Sequence, residues 1–234
     1  MCCATGVTIV ENCWHAAEIL NERKELMAGE KMTRIILVRH GQTEWNVQFK
    51  YQGHSEVDLT PTGVRQAERV AARLANEPIC AVYSSDLGRA LKTAEHIASS
   101  HHLSVTPVKG LREYHFGEWE GLTFQQISER WPEISVDFFK NPDSVRVPGG
   151  ETFGEVKARA EASVRKLVDL HPDQTVALVS HGGTIRTILC AALGLHLNRV
   201  WALRQDNTAV NIIEYYQETA IVALVNDIHH LSGE

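Results

Sequence analysis

From Thr33 onward, six short apolar runs alternate with segments of helical period, and this alternation limits the folds open to the chain. The runs are Arg34–Val38, Ile79–Ser84, Ser104–Val108, Thr175–Ser180, Ala209–Tyr215 and Ala220–Val225. Helix signals fill the spaces between them. Thr60 caps a segment with Pro61 at its first position, where the missing N–H is harmless. Val64, Ala67, Val70 and Leu74 then share one face. A second segment, Leu87 to Ser100, carries Ala90, Ala94 and Ile97. Thr152-x-x-Glu155 is a capping box that opens a long segment with Phe153, Val156, Ala160, Val164 and Leu167. Thr184 to Leu193 ends at Gly194, suited to a left-handed C-terminal turn. Such a pattern predicts an α/β domain with a mostly parallel sheet and helices on both faces. Only a few polar residues divide the last two runs, which predicts a hairpin and an antiparallel edge strand. Thr123 to Pro148, rich in aromatics and proline, is expected to make a helical excursion over one end of the sheet.

Composition narrows the function classes. The 234 residues are 44% apolar and 22% charged, as in ordinary globular proteins. A net charge of −6 argues against general nucleic-acid binding, and no apolar run approaches the ~18 residues of a membrane span. The five cysteines form no C-x-x-C pair, and Cys80 and Cys190 stand in apolar contexts that predict buried free thiols. A reducing, cytoplasmic setting is expected. Residues 1–31 lack the basic start and long apolar core of a secretory signal and are read as an N-terminal extension of unknown role, with one polar helix over Trp14–Met27. Met27 and Met32 offer alternative starts just before the first strand. Residues 32–234 form the main domain.

Two of the strands end in histidine followed by glycine: "ILVRHG" at His40 and "VALVSHGG" at His181. Ligands of parallel α/β sheets bind beyond the carboxyl ends of the strands, and glycine there lets the backbone approach a ligand closely. Arg39 and Arg89 bring guanidiniums suited to gripping a phosphate or carboxylate. Helix N-termini after Ser180 and Ser85 would add N–H groups for an anion. "LREYHFGEWEG" adds Glu113. Each signal alone is weak: an isolated glutamate is usually solvated, and the remaining histidines, His54 among them, read as surface, capping or packing residues. No metal motif of the H-E-x-x-H kind is present. The signals gain meaning because all fall at one end of the sheet.

In order along the chain, "LVRHGQTEWN", "YQGHSEVDLTPTGVRQA", "YSSDLGRALKTAE", "LREYHFGEWEGLT", "GGET" and "VSHGG" resemble the histidine phosphatase superfamily, the phosphoglycerate-mutase-like enzymes. The resemblance runs from Thr33 to about Leu231. It implies a three-layer α/β/α sandwich with His40 as nucleophile and Glu113 as the acid that protonates the leaving alcohol and then activates water. It also implies phosphate binding by Arg39, Arg89, His181 and Asn46, with Gly182 beside them, and no metal or cofactor. The attacking nitrogen of His40 must be neutral, so its other nitrogen should donate to a fixed acceptor, a backbone carbonyl. The acid region looks like that of the small-metabolite phosphatases, including α-ribazole phosphatases and metal-independent phosphoserine phosphatases. The implied activity is phosphomonoester hydrolysis through a phosphohistidine, acting on a small phosphorylated metabolite, in a monomer or homodimer. A cofactor-dependent phosphoglycerate mutase and a non-catalytic binding module are the alternatives. Tyr51, Phe116, Trp119, Trp131, Phe138, Phe139 and Trp201 are expected to supply a cap over the site.

Overall fold

The computed structural model describes residues 31–217 and 219–232. The expected helix Trp14–Met27, together with Cys2, Cys3, Cys13, His15 and Glu218, lies outside the described residues. From Met32 onward the described residues make one compact unit. Its strands are β1 (Thr33–Arg39), β2 (Ile79–Ser84), β3 (Val105–Pro107), β4 (Thr175–Ser180), β5 (Val210–Tyr215) and β6 (Ala220–Asp227). Its helices are α1 (Glu44–Val47), α2 (Pro61–Leu74), α3 (Gly88–Ser100), α4 (Phe124–Arg130), α5 (Pro132–Lys140), α6 (Phe153–Leu170) and α7 (Gly182–Ala192).

The six strands form one sheet in the order β3-β2-β4-β1-β5-β6. β3, β2, β4 and β1 are parallel, β5 runs antiparallel to β1, and β6 pairs antiparallel with β5. The expected hairpin is therefore present at the edge, and its inner strand is the one opposed to the parallel set. Alternation along β1 sorts its side chains to the two faces. Ile36 and Val38 pack with Val70 and Leu74 of α2 and Ala90, Ala94 and Ile97 of α3. Ile35 and Leu37 pack with Val164 and Leu167 of α6 and Ile185, Ile188 and Leu189 of α7. Central β4 is buried at every position, as its run of apolar residues requires.

The helical excursion is built from α4 and α5. It encloses a third core in which Tyr114, Trp119, Phe138 and Phe153 are fully buried. Thr60, Thr123 and Thr152 cap α2, α4 and α6 through their hydroxyl oxygens, and Gly194 closes α7 with φ +64°. Two expectations need correction. The strand Ser104–Val108 is only Val105–Pro107, with Pro107 placed where its missing N–H falls on the open side of the sheet and Val108 N–H still bonding to Ser84 O at 2.7 Å. Cys80 is exposed, while Cys190 is buried. Ile79 and Ala81 pair with consecutive residues of β4, Thr175 and Val176, so Cys80 is the extra residue of a bulge.

One close contact of the fold bears directly on the loop after β1. A Cβ at Gly63 would lie 2.0 Å from the Gln42 carbonyl, and one at Gly41 would lie 2.4 Å from the Gly63 carbonyl. Helix α2 thus sits directly on the backbone that follows His40. At Gly154 a Cβ would meet only the Thr152 hydroxyl, at 3.7 Å. Gly63→Ala should cost about 1–3 kcal/mol by overpacking and displace the loop, whereas Gly154→Ala should be neutral or stabilising by up to ~1 kcal/mol. Urea denaturation of the two variants checks this; equal stabilities would remove the α2 contact as a constraint on the loop.

Candidate active site

The register of the sheet creates the site. Arg39 of β1 pairs with Ser180 of β4, so the next residues, His40 and His181, leave the sheet side by side. Their ring centroids are 5.1 Å apart and tilted by 57°. His40 is 2% exposed and His181 0%. His40 Nδ1 lies 2.7 Å from the Gly41 carbonyl. A carbonyl only accepts, so the proton sits on Nδ1 and Nε2 keeps its lone pair. The backbone acceptor expected for His40 is thus Gly41. Burial, reinforced by Arg89 and Arg39, holds His40 well below the usual imidazole pKa. Burial also lowers His181, with Arg89 and His40 adding to the effect. Both rings are neutral at pH 7.

Arg39 and Arg89 are anchored on carbonyls. Arg39 Nη1 donates to Gln205 O at 2.7 Å. Arg89 Nη1 donates to Ser55 O at 2.9 Å and its Nη2 to Gly53 O at 2.7 Å. Burial lowers both guanidiniums to about 10, with Arg186 contributing next at Arg39. Both remain cationic at neutral pH. Four buried polar atoms of this group have no partner: Arg39 Nε, Arg89 Nε and both ring nitrogens of His181. Unsatisfied buried polar groups are costly, and four of them gather around His40.

Glu113 is fixed from two sides. Its Oε1 accepts the N–H of Tyr114 at 2.9 Å and of Thr184 at 3.1 Å, and its Oε2 accepts the N–H of Gly183 at 3.1 Å. The carboxylate thereby caps α7, whose dipole favours negative charge at this end. Its capping also explains why α7 begins two residues before the expected Thr184. Behind it, Arg159 uses all five donors. Nε and Nη2 hold Glu151 at 2.8 and 2.9 Å, Nη1 reaches Gly110 O and Arg112 O, and Nη2 also reaches Glu113 O at 2.8 Å. His54 Nε2 donates to the same Glu113 carbonyl at 2.8 Å. The helix N-termini expected to receive an outside anion already hold the chain's own carboxylates: Glu113 at α7, and Glu56, which accepts the Gly88 N–H of α3 at 3.1 Å.

A cavity of about 180 Å³ opens onto these groups. Arg39, His40, Asn46, Arg89 and Glu113 line it, as do Gln52 and the aromatic rings of Phe49, Tyr51 and Phe116. Asn46 Oδ1 is occupied by the Thr43 N–H at 3.0 Å and by Asn207 at 3.2 Å, so its amide nitrogen is the atom left for a ligand. His181 and Gly182 are not among the lining residues. A Cβ at Gly182 would come within 3.0 Å of Arg186 Nη1 and 3.5 Å of Arg39 Nε, so the missing side chain makes room for guanidiniums. Of the expected aromatic cap, only Tyr51 and Phe116 line the cavity. Trp119 and Phe138 are buried in the third core, with Trp131, Phe139 and Trp201 packed about it.

Several residues here escaped the sequence reading. Arg186, four positions after Gly182, comes round on the next turn of α7 and stands over the Trp201 ring at 5.6 Å; helical period from the SHGG turn would have found it. Lys50 lies between two recognised motifs, and Gln52 stands inside the second, beside Gly53, where the motif gives it no distinct chemistry. Arg159 and His54 act through backbone carbonyls, which leave no sequence signature.

Residues 35–228 match the sequence pattern of the histidine phosphatase superfamily (branch 1). Phosphoserine phosphatase 1 of Hydrogenobacter thermophilus is 32% identical over 200 residues, covering 86% of this chain and 95% of that protein. Phosphoglycerate mutase-like protein 4 of Arabidopsis thaliana is 37% identical over 204 residues, covering 84% of this chain and 86% of its own. Among solved structures, Bacillus stearothermophilus YhfR superposes with a TM-score of 0.81 at 35% identity, covering 85% of this chain and 98% of its own.

The depressed imidazoles have a consequence for stability. Below pH 6.5 an unfolded chain protonates these histidines while the folded chain resists, so stability is complete above that pH and lost as pH falls below it. Each contributes at most about 1.4 kcal/mol per pH unit. Unfolding free energies measured at pH 7.5 and 5.5 should fall less steeply in His181→Asn than in the parent. Equal slopes would mean that His181 is already protonated in the folded protein.

Proposed function

The chain belongs to the histidine phosphatase superfamily, branch 1, and on that premise we propose that it hydrolyses phosphomonoesters of small metabolites through a phosphohistidine, without a metal. The observation that carries this reading is the lone pair on His40 Nε2, surrounded by Arg39, Arg89 and His181 with their unpartnered nitrogens. In the first step Nε2 forms a bond to phosphorus as the ester P–O bond breaks. Protonated Glu113 gives its proton to the departing alkoxide. Its Oε2, which accepts one N–H only, has a lone pair free to carry that proton. In the second step the Glu113 carboxylate takes a proton from water, the water oxygen bonds to phosphorus, the N–P bond breaks, and inorganic phosphate leaves. Covalent catalysis divides one hard displacement into two easier ones. The guanidiniums meet the charge on the transferring phosphoryl oxygens. The resemblance of the acid segment to phosphatases, and the name of the Hydrogenobacter relative, support water rather than a second metabolite as acceptor.

His40→Ala should abolish turnover of p-nitrophenyl phosphate, and the parent should keep its rate in EDTA. Glu113→Gln should slow alkyl phosphates by about 10²–10⁴-fold. With p-nitrophenyl phosphate, whose leaving group scarcely needs a proton, it should give a burst followed by slow turnover as phosphohistidine accumulates. Near-normal rates on both substrates with no burst would assign the acid elsewhere, and residual turnover in His40→Ala would overturn the covalent path.

A further inference from the structure

Phe49 stands at the mouth of the cavity in a conformation its side chain disfavours. Its φ is +54°, in the left-handed region that bulky residues rarely enter, and it is 84% exposed while lining the cavity. The flanking backbone holds Phe49 there as the left-handed residue that closes α1. Phe49 N–H is held by Asn46 O at 3.2 Å, Lys50 N–H by Trp45 O at 2.9 Å and Tyr51 N–H by Leu122 O at 3.0 Å. Lys50 also forms a β-bridge with Thr123. An aromatic ring is thereby presented to solvent at a position that glycine would occupy without strain. Strain maintained by its surroundings is typical of ligand-contacting sites. Behind the ring, Tyr51 and Phe116 meet edge to face at 4.9 Å and extend the apolar wall inward.

Lys50 adds a charge beside the ring. It lines the same cavity, and among the described residues no carboxylate forms an ion pair with its ammonium group. A phosphomonoester dianion is already matched by Arg39 and Arg89. Lys50 is a third cation on the wall of the same cavity.

We propose that Phe49 and Lys50 form a leaving-group subsite that selects phosphomonoesters whose alcohol combines a flat apolar face with an anionic substituent. The selection of substrate rests on the hydrolase reading above. Ethyl, benzyl and 4-carboxybenzyl phosphate test it, since all three release a primary alkoxide and differ only in what the subsite would touch. The parent should prefer them in the order 4-carboxybenzyl, benzyl, ethyl by kcat/KM. Phe49→Gly, which relieves the backbone, should narrow the benzyl-over-ethyl preference by about five- to tenfold. Lys50→Met should narrow the carboxybenzyl-over-benzyl preference by roughly threefold or more, and added salt should narrow the same ratio in the parent. Calorimetric binding of the three corresponding phosphonates separates this subsite from the chemistry. Phosphonate preferences that follow the same order and shrink in the same variants would uphold the subsite even if no ester were hydrolysed. Preferences within about twofold of the parent in both variants, in turnover and in binding, would overturn it.

Discussion

Two guanidiniums, Arg89 fully buried and Arg39 half-buried with its Nε enclosed, stand at the end of this sheet, held by backbone carbonyls. Arg39 and Arg89 lie beside His40, and a buried cation is stable only when hydrogen bonds offset its lost hydration. Much of the local architecture serves that requirement. The loop carrying Gly53 and Ser55 folds back so that two carbonyls meet Arg89, and the Gln205 carbonyl reaches Arg39. The loop is in turn tied down by Glu120, which accepts the His54 N–H at 2.9 Å and the Ser55 hydroxyl at 2.5 Å. Burial, reinforced by the same positive field, keeps His40 and His181 neutral. Charge that destabilises the empty protein is the charge a phosphoryl group would neutralise.

Glu113 answers the opposite problem: a carboxylate placed where it could collapse onto those cations. Three N–H groups, two of them from the start of α7, hold it on the helix axis instead. Arg159 fixes Glu113 and the chain leading into it through carbonyls of residues 110, 112 and 113. One half-buried Glu151–Arg159 pair therefore positions Glu113 without lining the cavity. Rigid support of this kind is what a proton donor needs, since small misplacements are costly in rate.

The architecture was legible in the sequence because its causes are local. Short apolar runs and capped segments of helical period located every strand and each long helix, and the His-Gly strand ends placed His40 and His181 at one end of the sheet. Arg39, Arg89, Asn46 and Glu113, read from family-like motifs, all line the cavity. What remained hidden depends on tertiary contact. The bulge that turns Cys80 outward comes from pairing with β4. Gly41 was expected to admit a ligand, yet it admits α2. Trp119 and Phe138, expected over the site, are consumed by a third core that only the folding of α4 and α5 onto α6 defines. Phe49 gave no signal, because its meaning lies in a backbone angle.

The two margins of the sheet have a bearing on how copies of this chain can meet. An unpaired strand edge ordinarily invites another chain to continue the ladder. At one margin β3 is three residues long and includes a proline. At the other, β6 breaks register with β5 at two places and reaches Asn226 at φ +53°, which kinks the margin away from flatness. Neither margin offers a straight template, so edge-to-edge polymerisation is disfavoured at both.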